Sequence, residues 1–429
     1  MKNLFLMLLI MSTQLSAQIV QEGVFVVDPN GEYRGLFKQH PELVVDHPTK
    51  LGHEIYGPLG LKQTLDQWGV RYVDLSTQKG IDDQYPKSKQ INNQIRAIAW
   101  KYPSIFKIQE IGRGRRGKKI MMLKISDNPQ TDEVEPEVKL IANMHGDEIV
   151  GREIVVRLAE YIGAEYTKKN PEIVHLVNNA EIFLVPSMNP EGADKQRRGN
   201  SSWVDLNRNF PDFTTSDNQN SPTGRQPETQ AIMNWQLSRN FALSANFHGG
   251  AEVVNYPWDT IGDRHPLHDL VRQISLDYAA EIPSMRDSYE FSKGVTNGYD
   301  WYEVNGGMQD WSYYWHNDLQ ITVEVSDEKW PHYSEVKRYW NDHRQPMINF
   351  LRTVFSGTGV VVDAPSTVKV FQMNDNQRGQ YLGEYSTVNN QFYKVLPAGI
   401  YELEIKTGEK IQKVQRTVTP EAKDLFIKI

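Results

Sequence analysis

The chain has 429 residues, 39% of them hydrophobic and including 10 Trp and 20 Tyr, which is enough apolar material for a large buried core with a smaller one beside it. Its 47 basic residues are outnumbered by 54 acidic ones, a formal charge of -7; nothing in that balance suits a phosphate backbone, and nucleic acid is excluded as a partner. The absence of cysteine excludes disulfide staples and thiolate ligands, so any bound metal has to be held by His, Asp or Glu.

The first residues carry Lys2, an apolar run from Leu4 to Met11 and a Leu-Ser-Ala ending at Ala17, the pattern of an export signal over residues 1–17. The expected location is therefore secreted or periplasmic. That run is short for a bilayer and no later one matches it, so no integral membrane span is expected. Residues 18–84 form an N-terminal extension of mixed composition. In it Leu61, Leu65 and Trp68 have helical spacing, consistent with one helix docked on something larger, and no function is assigned to it.

From Tyr85 the pattern becomes regular. A helical stretch through Ile91, Ile95 and Ile98 precedes the strand candidates KIMMLKIS, VKLIANM, EIFLVPSM, LSANFHGG and ITVEVS, with helical segments such as EIVVRLAEYIGAEY and PLHDLVRQISLDYAA between them. Apolar strands alternating with longer helices predict an α/β fold over residues 85–356, a mixed, mainly parallel central sheet flanked by helices, with ligands gathered at the carboxyl ends of its strands. The last helix candidate ends at Phe355. A Ser-Gly-Thr-Gly break at Ser356 then opens a series of short alternating strands, STVKVFQM and IYELEIKTG among them, which predict a small all-β sandwich over residues 357–429.

The chemistry sits at the ends of those strands. His145 and Glu148, in NMHGDEIVGRE, lie three apart where a strand pattern gives way to a helical one; alone, such a pair is an ordinary solvated one. His248 ends another strand candidate and is followed by two glycines, a setting that the other histidines lack. Together these three make a His, Glu, His donor set that leaves a position open for water, as hydrolytic zinc sites do. Asp147 is a competing ligand, but adjacent residues on a turn point apart. Glu324, inside the apolar strand ITVEVS, is a carboxylate placed where burial is costly, which suits a general base. Arg198, Asn207 and Arg208, within RRGNSSWVDLNRNFPD, offer fork-shaped donors for a carboxylate and an oxyanion.

Taken together, NMHGDEIVGRE, PSMNPEG, DLNRNFPD, NFHGGAEVVNYPWD, TNGYDWYEVNGGMQDWSYYW and ITVEVSDEKWP resemble the zinc metallocarboxypeptidases, with the carboxypeptidase A-like fold, and more narrowly their N/E/D regulatory branch. The resemblance implies one Zn2+ ion held by His145, Glu148 and His248, with Glu324 as general base and acid and Arg198 stabilising the oxyanion. Asn207 and Arg208 would clamp the substrate's terminal carboxylate, and Tyr302 would close over it. Gln309 and Asp259 would line the pocket for the C-terminal side chain, an acid with an amide acceptor, which suits Arg or Lys. The resemblance also names the tail from Gly357 as transthyretin-like, with a stability or docking role. The expected activity is exported, zinc-dependent removal of single residues from peptide or protein C-termini. A wall-peptide-trimming enzyme of the same fold and a catalytically silent binder of peptide termini are the alternatives. The same donor set also suits cobalt or manganese.

Overall fold

In the computed structural model, residues 18–78, 84–375, 377–420 and 424–429 are described; the export signal expected at residues 1–17 lies outside them. The chain opens with four short strands, β1 (Glu22–Val27), β2 (Val44–Asp46), β3 (Gly52–Gly57) and β4 (Tyr72–Asp74), in the order β2-β3-β1-β4 with every pairing antiparallel. The helix Leu61–Gln67 covers this sheet, with Leu61 and Leu65 buried as their spacing predicts. Val24, Val26, Phe37, Ile55, Leu61 and Leu65 form a core of their own. The something larger on which this helix was expected to dock is a four-stranded sheet, which the sequence reading did not anticipate. Its strands are three to six residues long and interrupted by polar residues, too short for periodicity to register.

The central sheet has eight strands: β5 (Phe106–Arg113), β6 (Lys119–Ile125), β7 (Glu137–Ala142), β8 (Glu181–Val185), β9 (Phe241–His248), β10 (Ala251–Tyr256), β11 (Val295–Asn297) and β12 (Leu319–Ser326). Their order is β11-β10-β12-β9-β7-β8-β6-β5. The pairings β10/β11, β12/β9, β7/β9 and β7/β8 are parallel, and β10/β12, β6/β8 and β5/β6 antiparallel, which matches the expected mixed, mainly parallel sheet. Every residue of β7, β9 and β12 is buried, the reason those strands read as continuous apolar runs. Helices Ser88–Lys101, Val150–Thr167, Pro227–Gln236, His268–Ala280 and Val336–Arg352 flank the sheet. Strands β5, β10 and β11 were not anticipated: FKIQEIGR is only partly buried, AEVVNY follows β9 after a very short turn, and VTN is three residues long.

The chain ends in two sheets, β16-β13-β19 and β15-β14-β17-β18, built from β13 (Gly357–Val361), β14 (Thr367–Asn374), β15 (Gln377–Ser386), β16 (Gln391–Val395), β17 (Gly399–Thr407), β18 (Lys410–Val418) and β19 (Phe426–Lys428). Their buried residues, Val360, Val370, Phe392 and Leu403 among them, are continuous with the core of the central sheet. Among the described residues, no helix is long and apolar enough to cross a membrane.

Candidate active site

Register assembles the floor of the site. On the parallel pair β9/β12, His248 lies beside Glu324 and Asn246 beside Thr322. On β10/β12, Asn255 faces Thr322. Side chains alternate along a strand, so these five project from one face of the sheet at its carboxyl end.

The turn after β7 brings His145 and Glu148 above that floor. Asn143, with φ +58°, shapes it: its amide donates to the carbonyls of His145 (2.9 Å) and Glu148 (3.2 Å). A side chain at Gly146 is impossible, because a Cβ there would lie 2.2 Å from the carbonyl carbon of Gly192. The helix begins only at Val150, so the pair converges through this turn and not through one turn of helix.

His145, Glu148 and His248 meet as a buried cluster whose donor atoms all lie within 4.8 Å of one another. His145 Nδ1 is 2.9 Å from Glu148 Oε1, His248 Nδ1 is 2.8 Å from Glu148 Oε2, and the two Nδ1 atoms are 3.1 Å apart. A tetrahedron with bonds of about 2.0–2.1 Å has edges of about 3.3 Å, so this donor triangle fits one small divalent ion. His145 Nε2 is engaged as a metal site requires, by Asp205 Oδ1 at 3.0 Å, and His248 Nε2 lies 2.7 Å from the Asn246 amide nitrogen. Burial and Arg198 press against protonation of His145, but the carboxylates of Glu148 and Asp205 prevail and raise its pKa to about 9. Burial likewise opposes the Glu148 carboxylate, and His145 and His248 hold it well below the usual range. Asp147 stays out of the cluster.

Around the triad, Arg198 is 3% exposed yet charged. Its Nε donates to Asp205 Oδ2 at 2.9 Å and its Nη1 lies 3.3 Å from Glu148 Oε1, while Nη2 is buried without a partner. Arg208 donates to the Asn207 carbonyl at 3.0 Å and also keeps a buried Nη2 unpartnered, and the side-chain oxygen of Asn207 accepts from the Met308 N–H. Glu324 is buried with Oε2 uncommitted; its nearest ion-pair partner is a histidine, His47 Nε2 at 3.5 Å from Oε1, and not an arginine.

Asp259 and Gln309 sit together, both buried. The Gln309 amide donates to Asp259 Oδ1 at 2.7 Å and approaches Asn255 Oδ1 at 3.4 Å, leaving Gln309 Oε1 without a partner. Gly298 makes room for Asp259, since a Cβ there would lie 1.7 Å from Oδ1. Burial pushes the Asp259 carboxyl up to about 7 against the lowering effect of Asn255, Arg208 and Gln309.

A cavity of about 10 Å³ is lined by His145, His248, Asn207, Asp259, Tyr302 and Glu324, so these singled-out residues share one space. Glu148, Arg198 and Gln309 each touch a residue of that lining. Asp46 and His47 also line it, and sequence reasoning missed both. The statement that other histidines lack a strand-end setting is corrected by His47, which directly follows β2. Its only local signal was an Asp-His pair in a segment of no recognisable pattern. Asp205, Asn246, Asn255, Thr322 and Lys329 were also missed, although each lies inside or beside a quoted motif; their roles depend on which neighbour the fold supplies.

A family model for zinc carboxypeptidases matches residues 91–346. The chain is 34% identical over 359 residues to carboxypeptidase M of Mus musculus, an alignment covering 76% of this chain and 78% of that protein. It is 36% identical over 342 residues to carboxypeptidase D of Mus musculus, covering 72% of this chain but 24% of that protein, so it spans about a quarter of that relative's length. The crystal structure of carboxypeptidase A from Helicoverpa armigera superposes with a TM-score of 0.59 at 16% identity, over 79% of this chain and 98% of that one, a likeness of fold. The chain therefore belongs to the zinc carboxypeptidase family.

Proposed function

We propose that the protein is an exported zinc carboxypeptidase that removes one residue at a time from peptide or protein C-termini, with a preference for Arg and Lys. Zinc held by His145, Glu148 and His248 would supply a Lewis acid and a water acidic enough to lose its proton near neutrality. Asn207 and Arg208 bind the free carboxylate, which makes the enzyme an exopeptidase. Arg198 donates to the carbonyl oxygen as it gains charge. Glu324 Oε2 takes a proton from the attacking water and passes it to the amide nitrogen as the C–N bond breaks. Tyr302 covers the bound terminus, and Asp259 with Gln309 receives the basic side chain.

The observation that carries this function is the shared cavity: the buried His, Glu, His cluster opens on the space that Glu324, Asn207 and Asp259 also line. Basic preference is supported by the buried Asp259 carboxyl on the cavity wall beside the unpartnered Gln309 side-chain oxygen. The pattern at residues 1–17 supports export. We assign residues 18–84 to an N-terminal unit, 85–356 to the catalytic domain and 357–429 to a transthyretin-like sandwich whose shared core with the central sheet suits a stabilising role.

The test is release of the last residue from matched peptides ending in Arg, Lys, Phe or Ala, with and without a chelator and zinc add-back. Chelator-sensitive release from the Arg and Lys peptides is expected. Release favouring Phe would remove the pocket assignment, and release that survives complete loss of metal would remove the mechanism.

A further inference from the structure

Three consecutive residues open the helix Met308–His316 and reach both halves of the recognition site. The Met308 N–H donates to the side-chain oxygen of Asn207, which belongs to the clamp assigned to the substrate's carboxylate. The Gln309 amide holds Asp259 Oδ1. Asp310, buried next to it, holds the backbone of the same residue. The Asp259 N–H lies 3.0 Å from Asp310 Oδ1 and 2.9 Å from Oδ2, and the Thr260 N–H donates to Oδ2 at 2.9 Å. One turn of helix thus grips Asp259 by its side chain and by its main chain.

The far side of this loop is tied as well. The Asp259 carbonyl accepts from the Val304 N–H at 3.0 Å. Thr260 Oγ1 lies 2.9 Å from Asp212 Oδ2 and 2.7 Å from Asn305 Oδ1, and Asp212 Oδ2 also accepts from the Gly306 N–H at 2.8 Å. Asp212 continues the segment that carries Asn207 and Arg208, so that segment and the helix together fix both groups that would meet the substrate's last residue.

A carboxyl taken out of water costs free energy that its partners must return, and those of Asp310 are backbone N–H groups of the specificity loop. Burial and Asp259 push its pKa well above the ordinary carboxyl range, against the pull of those N–H groups. A protonated carboxyl keeps lone pairs for them, so the grip persists through that titration. An amide is a poorer substitute. With its oxygen in the place of Oδ2, its NH2 group faces the Asp259 N–H, donor against donor. The consequence for a substrate is geometric, because a displacement of about 1 Å in a group that orients the reactant costs about 100-fold in rate.

We propose that Asp310 is a positioning residue for substrate selection: by holding the Asp259 and Thr260 N–H groups it sets the distance between the acid that receives a basic side chain and the Asn207 and Arg208 clamp that receives the terminal carboxylate. The inference rests on the preference for Arg and Lys proposed above, and its test separates the two.

Wild type, Asp310→Asn, Asp310→Ala and the exposed control Asp277→Asn, on the helix His268–Ala280, are compared on matched peptides ending in Arg and in Ala, with kcat and KM resolved for each. Calorimetric binding of free arginine is measured beside them. Thermal unfolding followed by circular dichroism reports on folding; KM and the Arg-over-Ala ratio of kcat/KM do not depend on the folded fraction, so a destabilised variant still answers. For Asp310→Ala the expected result is a fall of about tenfold or more in that ratio, carried by a higher KM for the Arg peptide, with arginine binding weakened to match. Asp310→Asn should fall in the same direction by less, and Asp277→Asn should match wild type. A wild type that prefers Arg beside Asp310 variants that keep both the ratio and the arginine affinity overturns the positioning role and leaves the preference standing. Equal loss on the two peptides also overturns it, as the mark of a residue that only supports the fold. A wild type with no preference for Arg removes the preference and the inference with it. Arginine binding weakened in the Asp310 variants while no form hydrolyses peptide leaves the positioning role standing and removes the hydrolytic function.

Discussion

Asp259→Asn isolates the charge that the proposed specificity depends on. The substitution keeps size and the capacity to accept from Gln309, and it removes one negative charge from a site 3% exposed. A guanidinium or ammonium seated about 4 Å from that carboxylate gains about 4 kcal/mol at an effective dielectric of about 20. Stripping water from the cation takes back part of it, leaving about 2–3 kcal/mol, or about 30- to 140-fold in kcat/KM. The measurement is the ratio of kcat/KM for Arg-ended over Ala-ended peptides. The ratio cancels every effect common to both substrates, including any titration of the catalytic centre. Its pH dependence has a definite sign. Because the empty pocket's carboxyl lies at about 7, binding a cation below that pH first requires ionising Asp259, at about 1.4 kcal/mol per pH unit. The ratio should therefore rise from pH 6 toward pH 8 and then level off, whereas Asp259→Asn should be low and flat. A ratio that changes less than threefold on substitution, or that falls as pH rises, refutes the assignment of this carboxyl to the basic side chain.

Glu324→Gln should lower kcat by about 10²–10⁴ while zinc content, measured by atomic absorption, stays at that of wild type; an active Gln variant would remove Glu324 as the proton carrier. Asp205→Asn weakens the acceptor shared by His145 Nε2 and Arg198 Nε, and zinc affinity from competition with a chromogenic chelator should fall by about 10–100-fold. Lys394, buried where the C-terminal sheets meet the central one, has the Tyr313 hydroxyl and the Asn317 side chain as its hydrogen-bond partners among the described residues, and burial depresses its pKa well below the usual range. The unfolded chain thus binds a proton that the folded chain gives up, so stability should rise with pH toward 10. Lys394→Met should be more stable than wild type by about 1–3 kcal/mol in urea unfolding at pH 7, with the gain shrinking as pH rises; a destabilised Met variant would show that the amine is needed.

The strands that carry the proposed metal ligands and general base were legible because they are buried on both faces. VKLIANM, LSANFHGG and ITVEVS read as apolar runs with a polar residue at the end or inside, and that polar residue is the informative one. His145, Glu148, His248, Glu324, Arg198, Asn207, Arg208 and Tyr302 were singled out in this way or through motif resemblance; His145, Asn207, His248, Tyr302 and Glu324 line one cavity, and Glu148 joins the two histidines. Asp205 and Asn246 were in plain view within quoted motifs, but a residue that orients a histidine has no periodicity or spacing of its own. It is recognised only when the partner's outer nitrogen is located.

The amino-acid sequence by itself determined the alternation of helix and strand, the donor chemistry open to a chain without cysteine, and the family, because these follow from local pattern and residue type. Only the tertiary structure decided that Glu324 stands beside His248, since strand register is a property of pairs of strands. It also decided that β2, 152 residues before Arg198 in the chain, ends inside the cleft. No local signal in an Asp-His pair reports a contact made across that distance. The partners of Asp46 are set by how one folded surface docks on another, and that becomes visible only when both are in place.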